Sequence, residues 1–219
     1  MQDILYTAAS HDKCDIIKWL LEQGCEWKPS YYYGVIQNEN LSFMKWLQNN
    51  NKHNFDADEL EFALSLEKYK IVDYLLANNC PFKKTTMSVA ARTGNLEMVK
   101  LFKEKKCCWD GLTREAAVGG HLHIIEWARS NGCPWDTETC STAIKQGHLN
   151  ILYWAVDNGC PIDEKTLAVA VDCSDIKVLI YLKDRGCSLN TTTFHAAARS
   201  GRLDVMEYIV KLIPYTKNL

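Results

Sequence analysis

The sequence is poor in the residues that punctuate irregular chains, with five prolines and eleven glycines in 219 residues. That composition excludes a collagen-like chain and a low-complexity linker. It also lacks an excess of charge of either sign: 25 Lys+Arg stand against 27 Asp+Glu, a formal net charge of −2. A surface built throughout for nucleic acid or an anionic membrane needs a basic excess, which is missing. No stretch approaches 18 consecutive apolar residues, so no membrane-spanning helix is expected. The opening Met1-Gln2-Asp3-Ile4-Leu5-Tyr6 has no basic region leading into a long apolar run, so no secretory leader is expected. No C-x-x-C pair occurs among the ten cysteines, which removes the common zinc spacings. No glycine-rich phosphate loop occurs either.

What is present is repetition. Large apolar residues recur at Trp19, Trp46, Tyr74, Leu101, Trp127, Trp154, Tyr181 and Tyr208, 189 residues over seven steps, a mean period of 27. Cysteines keep the same register at Cys25, Cys80, Cys107, Cys133, Cys160 and Cys187, with Lys52 in that slot of the second unit and Pro214 in that of the eighth. Residues 135–162 show the plan. Asp136, Thr137, Glu138 and Thr139 offer helix-capping chemistry. Cys140, Thr142, Ala143 and Ile144 form a small apolar helix face that ends at the turn Gly147-His148. Leu149, Ile151, Leu152, Ala155 and Val156 then repeat at helical and not strand spacing, up to Asn158-Gly159. Each unit reads as helix, turn, helix, loop. One such pair cannot bury its own apolar face and must stack on its neighbours, which predicts an all-α solenoid. A leucine-rich repeat would also fit a period of 27, but it requires an L-x-L strand with an Asn ladder, and no unit has one.

The units resemble ankyrin repeats, whose signature opens T-P-L-H-x-A-A. The best match is Thr192-Thr193-Phe194-His195-Ala196-Ala197-Ala198-Arg199-Ser200-Gly201-Arg202, continued by Leu203-Asp204-Val205-Met206-Glu207-Tyr208. Thr85-Thr86-Met87-Ser88-Val89-Ala90-Ala91-Arg92-Thr93-Gly94-Asn95 follows the same pattern, and the turn returns as Gly120-His121-Leu122 and Gly147-His148-Leu149. Gly132-Cys133-Pro134-Trp135-Asp136 and Gly159-Cys160-Pro161-Ile162-Asp163 occupy the family's unit end. The usual ankyrin unit has about 33 residues; here about six are missing where the family places its β-hairpin finger. This short form is most similar to ankyrin arrays of giant DNA viruses of amoebae. The signature weakens early: Asp12, Glu39 and Glu67 replace the turn glycine, and Tyr31-Tyr32-Tyr33-Gly34 replaces the ordinary helix opening. That tyrosine run fits either a site or a packing variant.

The resemblance implies an ankyrin-like solenoid of about eight helix-turn-helix units with truncated fingers, filling 1–219 as a single domain. The units fall near 2–27, 28–55, 56–82, 83–109, 110–135, 136–162, 163–189 and 190–219. The end units are expected to act as caps, with polar outer residues such as Gln2, Asp3, Lys211 and Lys217.

Several residue sets invite sharper chemistry. Equivalent cysteines in successive units lie about 10 Å apart by helix packing, beyond the roughly 7 Å a disulfide spans. They read as buried free thiols, which fits a reducing, cytoplasmic location (host cytoplasm if the source is viral). His121-Leu122-His123 reads as the turn histidine and an exposed neighbour rather than a metal site, so no metal and no cofactor are expected. Cys108, His121 and Asp110 supply the residue types of a nucleophilic site, but a repeat array leaves a groove and no closed pocket; no enzyme and no catalytic residue are expected. Trp19, Trp46, Trp127 and Trp154 form one repeated row and Trp27, Trp109 and Trp135 another, which reads as packing. Charge is uneven: residues 54–67 carry Asp56, Asp58, Glu59, Glu61 and Glu67 with no Lys or Arg, and residues 83–106 carry seven basic side chains against Glu97 and Glu104.

Family resemblance implies protein–protein recognition, by a monomer, on the concave face lined by the first helices. Core slots there repeat as small residues. Two slots do not repeat: Tyr6, Tyr33, Glu61, Ser88, Arg114, Ser141, Ala168 and His195, and Ser10, Gln37, Ser65, Arg92, Val118, Lys145, Asp172 and Arg199. From these, Tyr33, Arg92, Arg114, Lys145 and Arg199 are the partner-binding candidates, since Arg and Tyr concentrate binding energy; His195 reads as structural. An adaptor selecting substrates for host protein turnover is the alternative. Nucleic-acid binding through the basic fourth unit is a more distant one, and no membrane partner is expected.

Overall fold

The computed structural model describes residues 2–51, 54–173 and 176–212. The described residues are all-helical, with no strand among them. In chain order the helices are α1 (Gln2–Ser10), α2 (Cys14–Glu22), α3 (Tyr32–Gln37), α4 (Leu41–Asn51), α5 (Ala57–Ser65), α6 (Tyr69–Ala77), α7 (Thr86–Arg92), α8 (Leu96–Glu104), α9 (Leu112–Gly119), α10 (Leu122–Ser130), α11 (Thr139–Gln146), α12 (Leu149–Asp157), α13 (Glu164–Cys173), α14 (Ile176–Asp184), α15 (Thr191–Arg199) and α16 (Leu203–Leu212). A 3-10 turn, Pro29–Tyr31, leads into α3. The helices run from six residues in α3 to eleven in α4. Isolated helices below about 12–15 residues are marginal in water, so packing must hold these.

Two compact units are formed. One ends at Thr93 and is completed by Glu97–Cys108; the other comprises Gly94–Leu96 and the chain from Trp109 onward. In the first, α1 packs on α2, α3 on α4 and α5 on α6, while the leading helices touch in the order α1, α3, α5, α7. In the second, α9 packs on α10, α11 on α12, α13 on α14 and α15 on α16, with leading helices in the order α9, α11, α13, α15. The ends of α1 and α3 lie side by side: Asn38, just after α3, donates through Nδ2 to the carbonyls of Ala9 and Ser10 at the end of α1 (3.0 and 3.1 Å).

The repeat register explains the core. Ala8, Val35, Ala63, Ala90, Ala116, Ala143, Ala170 and Ala197 occupy one slot of the leading helices, and all are buried. Small side chains there let helix axes approach, and at Gly34 an added Cβ would sit 2.7 Å from the Ala9 backbone carbon. The trailing helices contribute Leu20, Leu47, Leu75, Phe102, Ala128, Ala155, Leu182 and Ile209, also buried. Each large member of this row contributes about 1.5–3 kcal/mol through burial.

The cysteine row follows from how the trailing helices stop. Gly24, Asn79, Lys106, Gly132, Gly159 and Gly186 each have positive φ. The residue after each is Cys25, Cys80, Cys107, Cys133, Cys160 or Cys187, whose N–H bonds to the carbonyl five residues back, as Cys133 does to Ala128 (3.0 Å). This is the Schellman end, whose last residue turns its side chain back on the helix; a small apolar thiol suits that position. The ten cysteines are free thiols. Burial pushes Cys187 up to about 11, and burial followed by the charges of Glu59 and Asp56 pushes Cys80 up to about 12.

The turns inside the hairpins come in two kinds. Gly94, Gly120, Gly147 and Gly201 have positive φ, and so do Asp12, Glu39 and Glu67 at the equivalent position of the first three hairpins. A side chain in that conformation is strained. Two of the three acidic residues recover a contact from the next hairpin: Asn40 Nδ2 donates to Asp12 Oδ1 at 2.7 Å, and Lys68 Nζ lies 3.7 Å from Glu39 Oε2. At two of the glycines an imidazole takes that place. A Cβ at Gly94 would meet the His121 ring at 2.6 Å, and one at Gly120 the His148 ring at 2.8 Å.

The expectation of polar outer caps is corrected at the first hairpin. Ile4 is 49% exposed, whereas Tyr31, Glu59, Thr86, Leu112, Thr139, Thr166 and Thr193 in the same slot are at most 5% exposed. Ile16 and Trp19 are likewise exposed, and so are Leu203 and Val210 of α16 beside the exposed Lys211. Gln2, Asp3 and Lys217 lie outside the residues whose side chains are described. The tyrosine run divides: Tyr31 and Tyr32 are buried, each edge-on to Trp27 at 5.3 and 5.5 Å, while Tyr33 stays half-buried at the surface. The two tryptophan rows meet as packing, Trp109 against Trp127 and Trp135 against Trp154, each at 6.0 Å.

Candidate recognition surface

In the first unit the exposed sides of α3, α5 and α7 border a groove of about 530 Å³ lined by Tyr33, Asp58, Glu61, Phe62, Ser65, Val89 and Arg92. Two of the five candidate residues, Tyr33 and Arg92, thus meet on one feature. Tyr33 packs edge-to-face on Phe62, with ring centroids 4.9 Å apart. Burial raises the Tyr33 phenol pKa, and the carboxylates of Asp56, Asp58 and Glu59 raise it further.

The acidic end of the groove is built by the start of α5. Asp56 caps that helix, accepting from the N–H groups of Asp58 and Glu59, while Glu59 Oε2 accepts from the Asp56 N–H at 2.9 Å. This capping box holds the first turn and places Asp58 and Glu61 one turn apart on the same face. Glu61 Oε1 accepts from the hydroxyls of Thr85 and Thr86 (2.8 and 3.0 Å), which leaves Oε2 toward Lys83 Nζ at 3.8 Å. Lys83 also donates to Asp58, and that bond raises its pKa. Ser65 and Arg92, at the far ends of α5 and α7, close the opposite end about 10 Å away by helix rise.

The other three candidates lie on leading helices of the second unit. Arg114 on α9 pairs with Glu138 at 3.2 Å and Glu115 at 3.4 Å. Arg199 on α15 pairs with Asp172 of α13 at 2.5 Å. Lys145 on α11 is exposed. Arg114 and Arg199 are thus tied into ion pairs that reach from one hairpin to the next. Phe62 and Val89 are groove residues that the sequence pattern did not single out. Phe62 and Val89 carried a usable signal, being large apolar residues in a leading-helix slot that Thr7 and Gly34 fill elsewhere.

His195 is exposed. His123 Nε2 lies 3.3 Å from the Gly94 carbonyl, and its ring is edge-on to His121 at 5.9 Å. The Cys108 thiol donates to the Lys84 carbonyl at 3.3 Å. Among the described residues no group of three or more His, Cys, Asp and Glu side chains is placed to hold a metal ion, and no helix is long and apolar enough to cross a membrane. No protein-family model matches the chain, and no curated protein matches it.

Proposed function

We propose that the chain is a non-catalytic protein-recognition module, an ankyrin-like array of about eight short units whose leading-helix face binds a partner protein. The observation that carries this reading is the contrast between slots. Core slots of the leading helices repeat and are buried, while neighbouring surface slots vary freely and include a groove with aromatic, acidic and basic walls. A rigid array of this kind presents a surface without ordering a loop at binding. Ten free thiols fit a reducing compartment, and a cytoplasmic location follows within this reading. Recognition of protein is favoured over nucleic acid because the basic stretch is partly neutralised, Lys83 by Asp58 and Glu61, Lys100 by Glu97.

The test is an affinity capture from source-cell lysate with mass spectrometry. Wild type is run beside the triple variant Arg92→Glu, Arg114→Glu, Lys145→Glu, after both show equal helicity. A protein held by the wild type and lost by the variant supports the reading. A partner held equally by both moves the site off the leading-helix face, and capture of nucleic acid alone overturns protein recognition.

A further inference from the structure

The groove on α3, α5 and α7 has a more specific chemistry than a general docking face. Its two ends differ in charge. Asp58 and Glu61 stand on the first half of α5 with Tyr33 at the start of α3 beside them, Phe62 and Val89 lie at mid-helix, and Arg92 is the last residue of α7. The carboxylates at the acidic end already hold a cation within the chain, since the single ammonium of Lys83 reaches both. Lys83 does so from the loop before α7, with its side chain 45% exposed, and Asp58 is 58% exposed. The pair is therefore open to exchange with an outside group. Beside it sit two half-exposed aromatic rings, whose faces attract a desolvated cation.

We propose that this end of the groove is a seat for a basic side chain of the partner protein, arginine above all, and that Lys83 is its internal occupant in the free protein. Charge complementarity selects the occupant: two carboxylates and two rings favour a flat cation. The two rings stand nearly perpendicular, so a guanidinium can stack on the open face of one while its fork of N–H groups donates to the carboxylates, a combination that an ammonium cannot match. This inference rests on the recognition reading above, as it names the chemistry of one anchor on that face.

The probe is N-acetyl-arginine methylamide, titrated into the ¹⁵N-labelled full chain, with N-acetyl-citrulline methylamide as the neutral isostere. Saturable amide shifts confined to residues 33, 58–65 and 89 are expected with arginine and absent with citrulline. Asp58→Asn should weaken the arginine response about threefold to fivefold, and Lys83→Met should strengthen it by a similar factor, as befits exposed charge pairs. Phe62→Leu, which keeps the apolar volume, should weaken it while leaving helicity unchanged. No response, an equal response to citrulline, shifts spread over the surface, or indifference to both Asp58→Asn and Lys83→Met would each overturn the seat. A dT8 oligonucleotide shifting the same amides more strongly than arginine would also overturn it. If capture from lysate fails while arginine binds as described, the recognition reading falls and the seat stands. If a partner is lost by the triple variant and arginine does not bind, the reverse holds.

Discussion

Replacing Gly94 and Gly147 by alanine separates two reasons for a glycine in a hairpin turn. Both have positive φ, +81° and +77°, so an L side chain is strained at either one, by about 1–2 kcal/mol. They differ in what the new Cβ meets. At Gly147 no described residue lies within 4 Å, whereas at Gly94 the His121 ring atoms lie at 2.6, 2.8 and 2.9 Å. Forcing a methyl into that space displaces the imidazole, an overpacking that costs about 1–3 kcal/mol. Gly147→Ala should therefore destabilise by about 1–2 kcal/mol and Gly94→Ala by about 2–5 kcal/mol. Urea unfolding followed by far-UV circular dichroism reads the difference, with amide exchange around α10 as the local check because long repeat arrays need not unfold in one step. His121→Ala supplies the closing side of a double-mutant cycle: in that background Gly94→Ala should fall to the Gly147→Ala value, a coupling of about 1–3 kcal/mol. Equal losses at Gly94 and Gly147 in the wild-type background, or no rescue by His121→Ala, would refute the ring contact as the reason for glycine.

Lys106 holds positive φ at the end of α8 (+63°), so Lys106→Gly should raise stability by about 1 kcal/mol, read as a higher urea midpoint at unchanged slope. The hydrogen bond from Arg202 lowers the Asp204 pKa to about 2. A carboxylate depressed in the folded state adds stability above its unfolded value, near 4, and loses it as pH falls from there toward 2. A ¹³C carboxyl titration should place Asp204 near 2, and Arg202→Ala should return it toward the ordinary value. Iodoacetamide labelling of the native chain with mass-spectrometric readout should reach Cys173 first and Cys14, Cys25 and Cys108 next, while the buried Cys80, Cys107, Cys133, Cys140, Cys160 and Cys187 stay protected until unfolding.

Much of the local architecture was legible because it depends on near neighbours. A helix end with its C″ residue, an αL turn and an i, i+3, i+4 apolar face are all written within about ten residues. The cysteine row was visible as a period before its cause, the Schellman bond to the carbonyl five residues back, was known. The acidic turns were equally visible as departures from glycine. What they do required the next hairpin, since Asn40 and Lys68 lie 28 and 29 residues beyond the turns they serve. The apolar exposure of the first hairpin is hidden in the sequence for a similar reason. Ile4 and Ile16 occupy slots whose other members are buried, apart from the half-buried Met98; only the packing of the next hairpin on one side and of nothing described on the other decides that they are exposed.

The groove was harder still to read, because it is made of residues that share a face only after three hairpins have stacked. Ion pairs between hairpins recur in both units. Arg114 with Glu138, Arg199 with Asp172 and Lys83 with Asp58 each link a residue on one hairpin to a residue on an adjacent one. Exposed pairs of this kind are worth about 0–1 kcal/mol, too little to hold the hairpins together against the burial of a single leucine. Within the proposed recognition role, their effect falls on binding. A partner that offers an opposite charge must first replace one already present, so exchange of ion pairs adds little net affinity and mainly selects register. Affinity has to come from surface that the chain leaves half-covered, and on the leading helices of the first unit that means Tyr33, Phe62 and Val89. Charge reversal at the paired arginines and truncation of the aromatic pair should therefore separate in kinetics, the first acting chiefly on the association rate and its salt dependence, the second on the dissociation rate.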